Sequence, residues 1–184
     1  FPWATSLIIQ AGVWKFIIDK DYGALNTLLM KIGLISSPVN WTPTPQAYFA
    51  WEIFVGIFVT VPFVTFCVLS GLQSIDNSYY EAATVDGANY RQKLFKITLP
   101  LVKSSLTVST VLNIIYVFNS FPIIWTITKG DPASRTDTLV TYLYKLAFYK
   151  GKSGEAAAVS VIGFLILCLC ASIYMVVSLR KEEE

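Results

Sequence analysis

The chain has 184 residues, of which 54% are hydrophobic and 14% are charged, and its formal net charge is +2. So few charges do not cover the surface of a soluble globule of this size, and the apolar residues fall in blocks of about 20, the length that crosses a bilayer. A net charge near zero, with no basic cluster interleaved with aromatic residues, excludes a nucleic-acid partner. The composition therefore predicts a membrane protein.

The residue types also argue against an enzyme. The sequence has no histidine, and its three cysteines, Cys67, Cys168 and Cys170, all lie within apolar runs. We expect them to be packed or lipid-facing, with no disulfide, metal site or catalytic residue. Gly151-Lys152-Ser153 resembles the end of a phosphate-binding loop, but Leu146 occupies the position of the required glycine and no strand precedes it. No cofactor is therefore predicted in this chain.

The first apolar segment is predicted over residues 3–18 and ends at Asp19. It is short for a full crossing, and no charged leader precedes it, so a signal peptide is not indicated and we expect the chain to start within or just before a span. Apolar residues then recur at helical spacing, at Leu25, Leu28, Leu29 and Ile32. This one-sided pattern fits a helix lying on the membrane surface and equally one packed on the bundle.

A second span is predicted over residues 48–69. Gly56 and Thr60 are one helical step apart, a spacing that lets membrane helices pack closely, and Phe63 follows on the same face. Pro62 removes a backbone donor and should bend the helix. The bend is either a packing accommodation or a hinge near a substrate path. Glu52 is the only carboxylate within a predicted span and lies near its end.

Residues 74–100 form a polar stretch between two apolar runs. Ser78 and Glu81 stand at capping-box spacing, which predicts a helix from about residue 79. Gly87 is suited to the left-handed turn that ends such a helix. Asn89 and Gln92 repeat the capping-box spacing and predict a second helix.

The second helix is expected to run to about Ile97 and to stop before Pro100. Ala82 and Ala83, on the first helix, are small enough to let another surface approach closely. The stretch is therefore predicted to be a helical hairpin that inserts as a knob into a groove on a partner.

The third span, predicted over residues 101–125, is the most polar. Its polar side chains form one helical stripe: Ser105, Ser109, Asn113, Tyr116 and Ser120. Because lipid offers no hydrogen-bond partners, the stripe should face protein or water. It serves either interhelical hydrogen bonding or a pathway for a neutral polyol, and Asn119, to one side, fits both. A short amphipathic helix, residues 139–148, and a fourth span, residues 157–179, follow.

The stretch Glu81-Ala82-Ala83-Thr84-Val85-Asp86-Gly87-Ala88, followed by Ile97-Thr98-Leu99-Pro100, resembles the signature cytoplasmic loop of permease subunits of binding-protein-dependent ABC importers. Asp86-Gly87 is similar to the carbohydrate-uptake branch. Phe118-Asn119-x-Phe121 and Asp137-Thr138-Leu139 resemble the maltose- and glycerol-3-phosphate-type first permease, although Gly130-Asp131-Pro132 departs from that branch, where a second glycine is usual. Charge alone does not orient the chain, so only this resemblance assigns the loop to the cytoplasm.

The resemblance implies an all-α, polytopic membrane helix bundle, with about four spans in one transmembrane domain over residues 1–184. Earlier helices of the subunit would be absent from this chain, and residues 74–100 would be the coupling loop. The implied partners are a second homologous permease, an ATPase homodimer or heterodimer that holds ATP and Mg, and an extracytoplasmic substrate-binding protein. The subunit would lie in the plasma (inner) membrane of a prokaryote and move a sugar or related polyol by alternating access.

The residues that the resemblance implies for ATPase coupling are Glu81, Ala82, Ala83, Asp86, Gly87, Ala88, Leu99 and Pro100. Those expected on the substrate pathway are Gly56, Thr60, Phe63, Ser109, Asn113, Tyr116, Asn119 and Ser120. Glu81 is assigned either a charge-assisted contact with a basic ATPase residue or a capping role, or both. The alternatives from other classes are a passive channel or secondary transporter, and a non-transporting membrane scaffold for an ATPase.

Overall fold

The computed structural model describes residues 5–180. Helices and turns make up this part of the chain and no strand occurs in it, which confirms the all-α prediction. The helices are α1 (Leu7–Ile17), α2 (Ala24–Lys31), α3 (Pro45–Gln73), α4 (Asn77–Val85), α5 (Tyr90–Phe118), α6 (Phe121–Ile127), α7 (Leu139–Tyr144) and α8 (Ser153–Arg180). A π turn, Leu94–Thr98, lies within α5, and another, Lys145–Tyr149, continues α7.

Three of these helices, α3, α5 and α8, are long and apolar enough to cross a membrane. The predicted second and fourth spans lie within α3 and α8, which both extend a few residues further. Most of α8 is exposed in this chain, including Cys168 and Cys170. An apolar surface that no residue among 5–180 covers is what a lipid-facing helix presents.

The first predicted apolar segment, residues 3–18, contains a helix that is short for a crossing, as expected. Its helix, α1, covers Leu7–Ile17, 11 residues, which is too short to cross, and residues 3 and 4 lie outside the described part. The helix ends where the carboxylate of Asp19 accepts hydrogen bonds from the backbone N–H groups of Asp21 and Tyr22, both at 2.9 Å. These local bonds close a turn and compete with a further helical turn. The described residues thus contain three long spans and one short apolar helix.

The prediction for the third span, residues 101–125, is also wrong at both ends. Helix α5 starts at Tyr90 and ends at Phe118, and the chain turns at Asn119 and Ser120 before α6. Pro122 lies in the first turn of α6, where a missing N–H costs nothing because that group would have no helical partner. The Asn-Ser-x-Pro sequence was therefore the signal for a helix restart.

The sequence predicted that the second helix of the hairpin stops before Pro100, but α5 continues through this proline to Phe118. The π turn Leu94–Thr98 precedes that proline, and the Leu99 N–H bonds to the Leu94 carbonyl, five residues back. The helical hydrogen-bond pattern is thus already rearranged where proline cannot donate, so the chain passes Pro100 without a break.

Helix α2 confirms the predicted amphipathic helix, but a polar residue anchors it. Asn26 is 2% exposed, whereas Leu28 is 57% exposed. The Asn26 side-chain amide donates to the carbonyls of Lys20 and Val39 and accepts from the Val39 N–H and the Trp41 indole N–H. All four hydrogen-bonding positions of the side chain are filled, so its burial is stabilising.

The described chain divides into two compact units. The first, residues 5–59 and 116–168, has a core of Ala11, Val55, Val59, Ile123 and Ile127. Trp14 of α1 packs edge-on against Phe54 and Phe58 of α3, with ring centroids 5.0 and 5.2 Å away. Such edge-to-face aromatic contacts add to the burial of apolar area and hold the short helix α1 against α3.

The second unit, residues 60–115 and 169–180, is held by small and hydroxyl side chains. At Gly71 of α3, an added Cβ would lie 2.6 Å from the Ser105 hydroxyl oxygen of α5, so only glycine permits this approach. The Thr107 and Ser178 hydroxyls hydrogen-bond between α5 and α8. Close backbone approach and interhelical hydroxyl bonds are the usual means by which helices associate in lipid.

Candidate functional site

The coupling loop begins with a helix cap that differs from the predicted one. Asp76, not Ser78, is the N-cap of α4: its carboxylate accepts from the Ser78 backbone N–H at 2.8 Å. The bonds from the Ser78 N–H and then its hydroxyl hold the pKa of the Asp76 carboxyl below its ordinary value of 3.8. A carboxylate is a strong N-cap acceptor and also favours the positive end of the helix dipole. The Ser78–Glu81 capping box is therefore wrong, and Glu81 is exposed on the helix surface.

Gly87 ends α4 as predicted, with a φ of +77°. The Ala88 N–H bonds to the Ala83 carbonyl at 2.8 Å and the Gly87 N–H to the Thr84 carbonyl at 3.0 Å. These paired bonds are the Schellman motif, which satisfies the last carbonyls of a helix and needs a left-handed residue at this position. The side chain of Asp86, which precedes Gly87, is exposed.

The chain restarts as a helix directly after this turn. Asn89 and Gln92 form the predicted capping box, with reciprocal side-chain to backbone bonds of 3.0 and 2.8 Å. Two further bonds tie α4 to α5: the Tyr80 hydroxyl to that of Thr98 at 2.9 Å, and the Lys93 ammonium to the Thr84 hydroxyl at 2.6 Å. The loop is thus hydrogen-bonded along its whole length. This is the geometry of a stiff elbow between two long helices.

The remaining residues assigned to coupling differ in exposure. Ala82 and Pro100 are exposed, Leu99 is 39% exposed, Ala88 is half-buried and Ala83 is buried against the turn. The two alanines therefore have different roles: Ala82 leaves the surface open to close approach, and Ala83 packs inside.

The structure adds apolar residues that the sequence argument missed. Tyr79, Val85 and Tyr90 are 55%, 89% and 78% exposed around the turn. The available signal was an apolar side chain immediately before the Asp-Gly pair and another after it, in an otherwise polar stretch. Large apolar side chains exposed on a rigid polar segment indicate a surface that another protein covers.

On α5, the predicted polar stripe makes bonds of a kind that neither interpretation anticipated. Ser109 is 1% exposed and its hydroxyl donates to the Leu106 carbonyl at 3.0 Å. The Asn113 side chain donates to the Ser109 carbonyl at 2.9 Å. Both groups are thus satisfied by their own helix, a common arrangement for polar side chains in spans.

The end of α5 is more open. Tyr116 is 42% exposed, Asn119 is exposed and Ser120 is half-buried at the start of α6. The turn between the helices is closed by the Phe121 N–H, which bonds to the Asn119 carbonyl at 2.7 Å. A phenol and an amide at a helix break are therefore exposed in this chain.

The three residues assigned to the pathway on α3 are half-buried. Gly56, Thr60 and Phe63 lie along the middle of this helix. An added Cβ at Gly56 would meet no atom within 4 Å among the described residues, so the space beside this glycine is open.

A cleft of about 430 Å³, the Tyr48 cleft, opens at the amino end of α3 in the first unit. Its lining includes Lys15, Asp19, Tyr48, Thr128 and Asp131. The ammonium of Lys15 donates to the Thr126 carbonyl at 3.2 Å, which holds α1 to the end of α6. Bonds from the backbone N–H groups of Tyr22 and Asp21 keep the pKa of the Asp19 carboxyl below its ordinary value. The cleft thus has fixed charged groups on its rim.

Residues 3–182 match the family model described as "Binding-protein-dependent transport system inner membrane component". In sequence, the chain is 48% identical over 183 residues to a protein of Brucella suis biovar 1 (strain 1330) named "Probable ABC transporter permease protein". That match covers 100% of this chain and 63% of the relative. It is 35% identical over 182 residues to the trehalose/maltose transport system permease protein MalF of Thermococcus litoralis, covering 99% of this chain and 61% of that protein.

In structure, the chain is similar to one chain of a bacterial ABC transporter involved in the import of the acidic polysaccharide alginate. The TM-score is 0.84 at 25% sequence identity, and the match covers 97% of this chain and 62% of the other. The present chain therefore spans about 63% of the length of the Brucella relative that it matches throughout.

Proposed function

The chain belongs to the family of binding-protein-dependent transport system inner membrane components, and we propose that it is the transmembrane permease subunit of an ATP-driven sugar importer. It is a multi-pass protein of the plasma membrane, with three long apolar helices in its described part. The MalF relative is named for trehalose and maltose transport, and the alginate relative for import of a polysaccharide. These names support a carbohydrate as the substrate class.

The observation that carries the proposal is the geometry of the coupling loop. Two capped helices meet at a left-handed glycine, hydroxyl bonds join them, and Glu81 with three large apolar side chains is exposed on the outside. A stiff, exposed knob that joins two spans suits a groove on an ATPase subunit. Glu81, which is not needed for capping, supplies the charge-assisted contact with a basic residue of that subunit.

Mechanically, the loop is the link between ATP and transport. We expect the coupling loop to lie in a groove of an ATPase subunit. When the ATPase subunits close, the loop moves as a rigid body and displaces α3 and α5, the helices on either side of it. ATP binding then stabilises one of two arrangements of the spans relative to the other, which is alternating access. ATP and Mg are held by the partner subunits, and this chain contributes no nucleotide site.

The substrate pathway is assigned to the polar and aromatic residues of α5 and α3. Tyr116 and Asn119 offer an aromatic face, a hydroxyl and an amide, which suit the alternating apolar faces and hydroxyls of a neutral sugar. Gly56, Thr60 and Phe63 contribute from α3, and Asn113 and Ser120 from α5 and its end, whereas the buried Ser109 supports the helix behind them. A second permease subunit completes the pathway, and an extracytoplasmic binding protein delivers the sugar.

The test begins with purification of the subunit together with its neighbouring gene products. Co-elution with an ATPase is expected, and its ATP hydrolysis should rise when the binding protein loaded with sugar is added, with trehalose and maltose tried first. Gly87→Val should reduce that stimulation at least about tenfold, because a β-branched residue is strained at this φ and distorts the elbow.

The matched control is Gly33→Val, since Gly33 is also left-handed, with a φ of +74°, and also has no atom within 4 Å of an added Cβ. It lies outside the coupling loop and should keep its stimulation. Equal loss in both variants would contradict a specific role for the elbow. Purification without an ATPase would favour a channel or secondary transporter, and an ATPase that no sugar-loaded binding protein stimulates would favour a scaffold.

A further inference from the structure

Glu52 is a buried acidic residue that the transport mechanism above does not use. It lies on α3 and is 4% exposed. One carboxyl oxygen, Oε1, accepts a hydrogen bond from the Thr128 hydroxyl at 2.6 Å, and the other, Oε2, is buried without a hydrogen-bond partner among residues 5–180. A carboxyl group buried this deeply is costly, so its retention calls for a role.

Thr128 connects Glu52 to the segment that follows α6, the Thr128 loop (residues 128–137). Its hydroxyl oxygen accepts from the Gly130 N–H at 3.0 Å and lies 2.9 Å from the hydroxyl of Thr136. Thr136 is 0% exposed, and its one hydroxyl proton is available to either the Thr128 oxygen or the Asp131 carbonyl, which lies 3.1 Å away, because the Thr128 proton goes to Glu52. One hydroxyl therefore joins both ends of the loop to α3.

The backbone of this loop makes local turn bonds, but several of its residues have unfavourable dihedral angles. Lys129, Gly130, Ala133 and Ser134 all have left-handed φ values, between 54° and 83°. Residues other than glycine rarely adopt such values, so the turn bonds of the loop and its contact with Glu52 together must hold them. Thr128 and Asp131 both line the Tyr48 cleft, and the shape of that wall depends on the same contacts.

We propose that Glu52 is a positioning residue, whose carboxyl group holds Thr128 and, through it, the Thr128 loop in the conformation that forms one wall of the Tyr48 cleft. This proposal rests on the proposed function for the side of the membrane on which the cleft lies. If the coupling loop, after the carboxyl end of α3, is cytoplasmic, then the amino end of α3 and the cleft face the extracytoplasmic binding protein. The hydrogen bond between Glu52 and Thr128, here called the latch, then fixes the surface that the binding protein meets.

Hydrogen–deuterium exchange of the assembled transporter tests the latch directly. Thr128→Val keeps the shape of the side chain and removes the hydroxyl, whereas Thr128→Ser keeps the hydroxyl. We expect the amides of residues 129–137 to exchange about tenfold faster in Thr128→Val, the order of effect of losing one buried hydrogen bond, and at nearly the wild-type rate in Thr128→Ser. Glu52→Leu should reproduce the valine result, and the double variant should add little to it.

Thr107→Val is the control, because it removes another buried threonine hydroxyl bond, to Ser178, away from the loop. In Thr107→Val, the amides of residues 129–137 should exchange at the wild-type rate. Exchange in Thr128→Val within about twofold of wild type would overturn the proposal, and so would equal acceleration in the serine and valine variants, since packing rather than the hydroxyl would then be responsible. Neither result depends on ATP hydrolysis.

A second readout separates positioning from mere stability. Thr128→Val should weaken stimulation of ATP hydrolysis by the binding protein, seen as a higher concentration of binding protein for half-maximal effect, and Thr128→Ser should restore it. A faster-exchanging loop with an unchanged half-maximal concentration would overturn the positioning role. If the wild-type complex shows no stimulation, the proposed function fails, while the exchange experiment still decides on the latch.

Discussion

The coupling loop and the Thr128 loop are both held by hydrogen bonds, but the bonds join residues at very different separations along the chain. In the coupling loop, capping and turn bonds join residues two to five positions apart, and its longest tie, from Tyr80 to Thr98, spans 18. The Thr128 loop also has local turn bonds, but the bond that ties it to α3, from Thr128 to Glu52, spans 76 residues. The ties of the first element all lie within one short segment, so it can keep its shape while it moves, whereas the second depends in part on α3 staying in place.

The largest difference between the two loops is expected in the loss of stability when a left-handed glycine in each is replaced by alanine. Gly130 and Gly87 have similar φ values, +83° and +77°, but a Cβ at Gly130 would lie against the Asp137 carboxylate and 2.8 Å from the Lys145 ammonium. Gly130→Ala adds this clash to the backbone strain and should lower the free energy of unfolding by about 3 kcal/mol. Thermal unfolding of the purified transporter in detergent measures it. A loss as small as that of Gly87→Ala would contradict the crowding argument.

The next largest loss of stability is expected from breaking the ion pair between Asp137, at the end of the Thr128 loop, and Lys145. Asp137 accepts from the Lys145 ammonium and from the Thr141 hydroxyl, both at 3.0 Å, and the side chains of the pair are only 20% and 10% exposed. Asp137→Asn leaves the ammonium without its counter-charge and should cost about 2 kcal/mol. The control is Glu155→Gln, because the pair of Glu155 with Lys152 is exposed and should contribute little. Equal shifts in the unfolding midpoint of Asp137→Asn and Glu155→Gln would contradict the expectation that the buried pair contributes more than the exposed one.

Gly87→Ala should have a smaller effect on stability. Nothing lies within 4 Å of the added Cβ, so only the backbone strain remains, about 1 kcal/mol. Hydrogen exchange of residues 77–93 should rise while that of residues 129–137 stays unchanged, because the ties of the coupling loop are local. A rise in both regions would show that the two loops are more strongly linked than their bonds suggest.

The smallest effect is a titration at the start of α4. Because the bonds from Ser78 lower the pKa of Asp76 in the folded chain, the charged cap is stabilising above the ordinary value of 3.8 and is lost as pH falls through the lower, folded value. In protein with labelled aspartate carboxyl carbons, NMR should show Asp76 titrating below pH 3.8, with the Ser78 amide shift following the same curve. A midpoint at or above 3.8 would mean that Asp76 is not the cap.

The same difference in sequence separation explains what the sequence predicted. The left-handed Gly87 and the Asn89–Gln92 capping box depend on residues within one helical turn, so their spacing sufficed. The Ser78–Glu81 box failed because Asp76, a stronger acceptor two residues earlier, starts the helix first. The competing acceptors thus lie within three residues of each other, and their relative strength decides where the helix begins.

Longer-range features had no comparable signal. Glu52 is the only carboxylate in a predicted span, but nothing in the sequence indicates that Thr128 binds it. The bond between Thr107 and Ser178 likewise depends on how two helices pack. The polar stripe on α5 was recognised, whereas the bonds of Ser109 and Asn113 to their own helix could not be told from interhelical ones by spacing alone.

The π turn in α5 fixes an angle as well as a path past Pro100. It holds one residue more than an α-helical turn, and each residue of a helix advances the direction of its side chain by about 100°. Removing one residue from Leu94–Thr98 would therefore rotate the rest of α5 by roughly that amount relative to α4, and would displace the Thr98 hydroxyl from that of Tyr80. The direction in which the coupling loop projects from α5 is thus set by the length of a five-residue segment that lies outside the Gly87 turn.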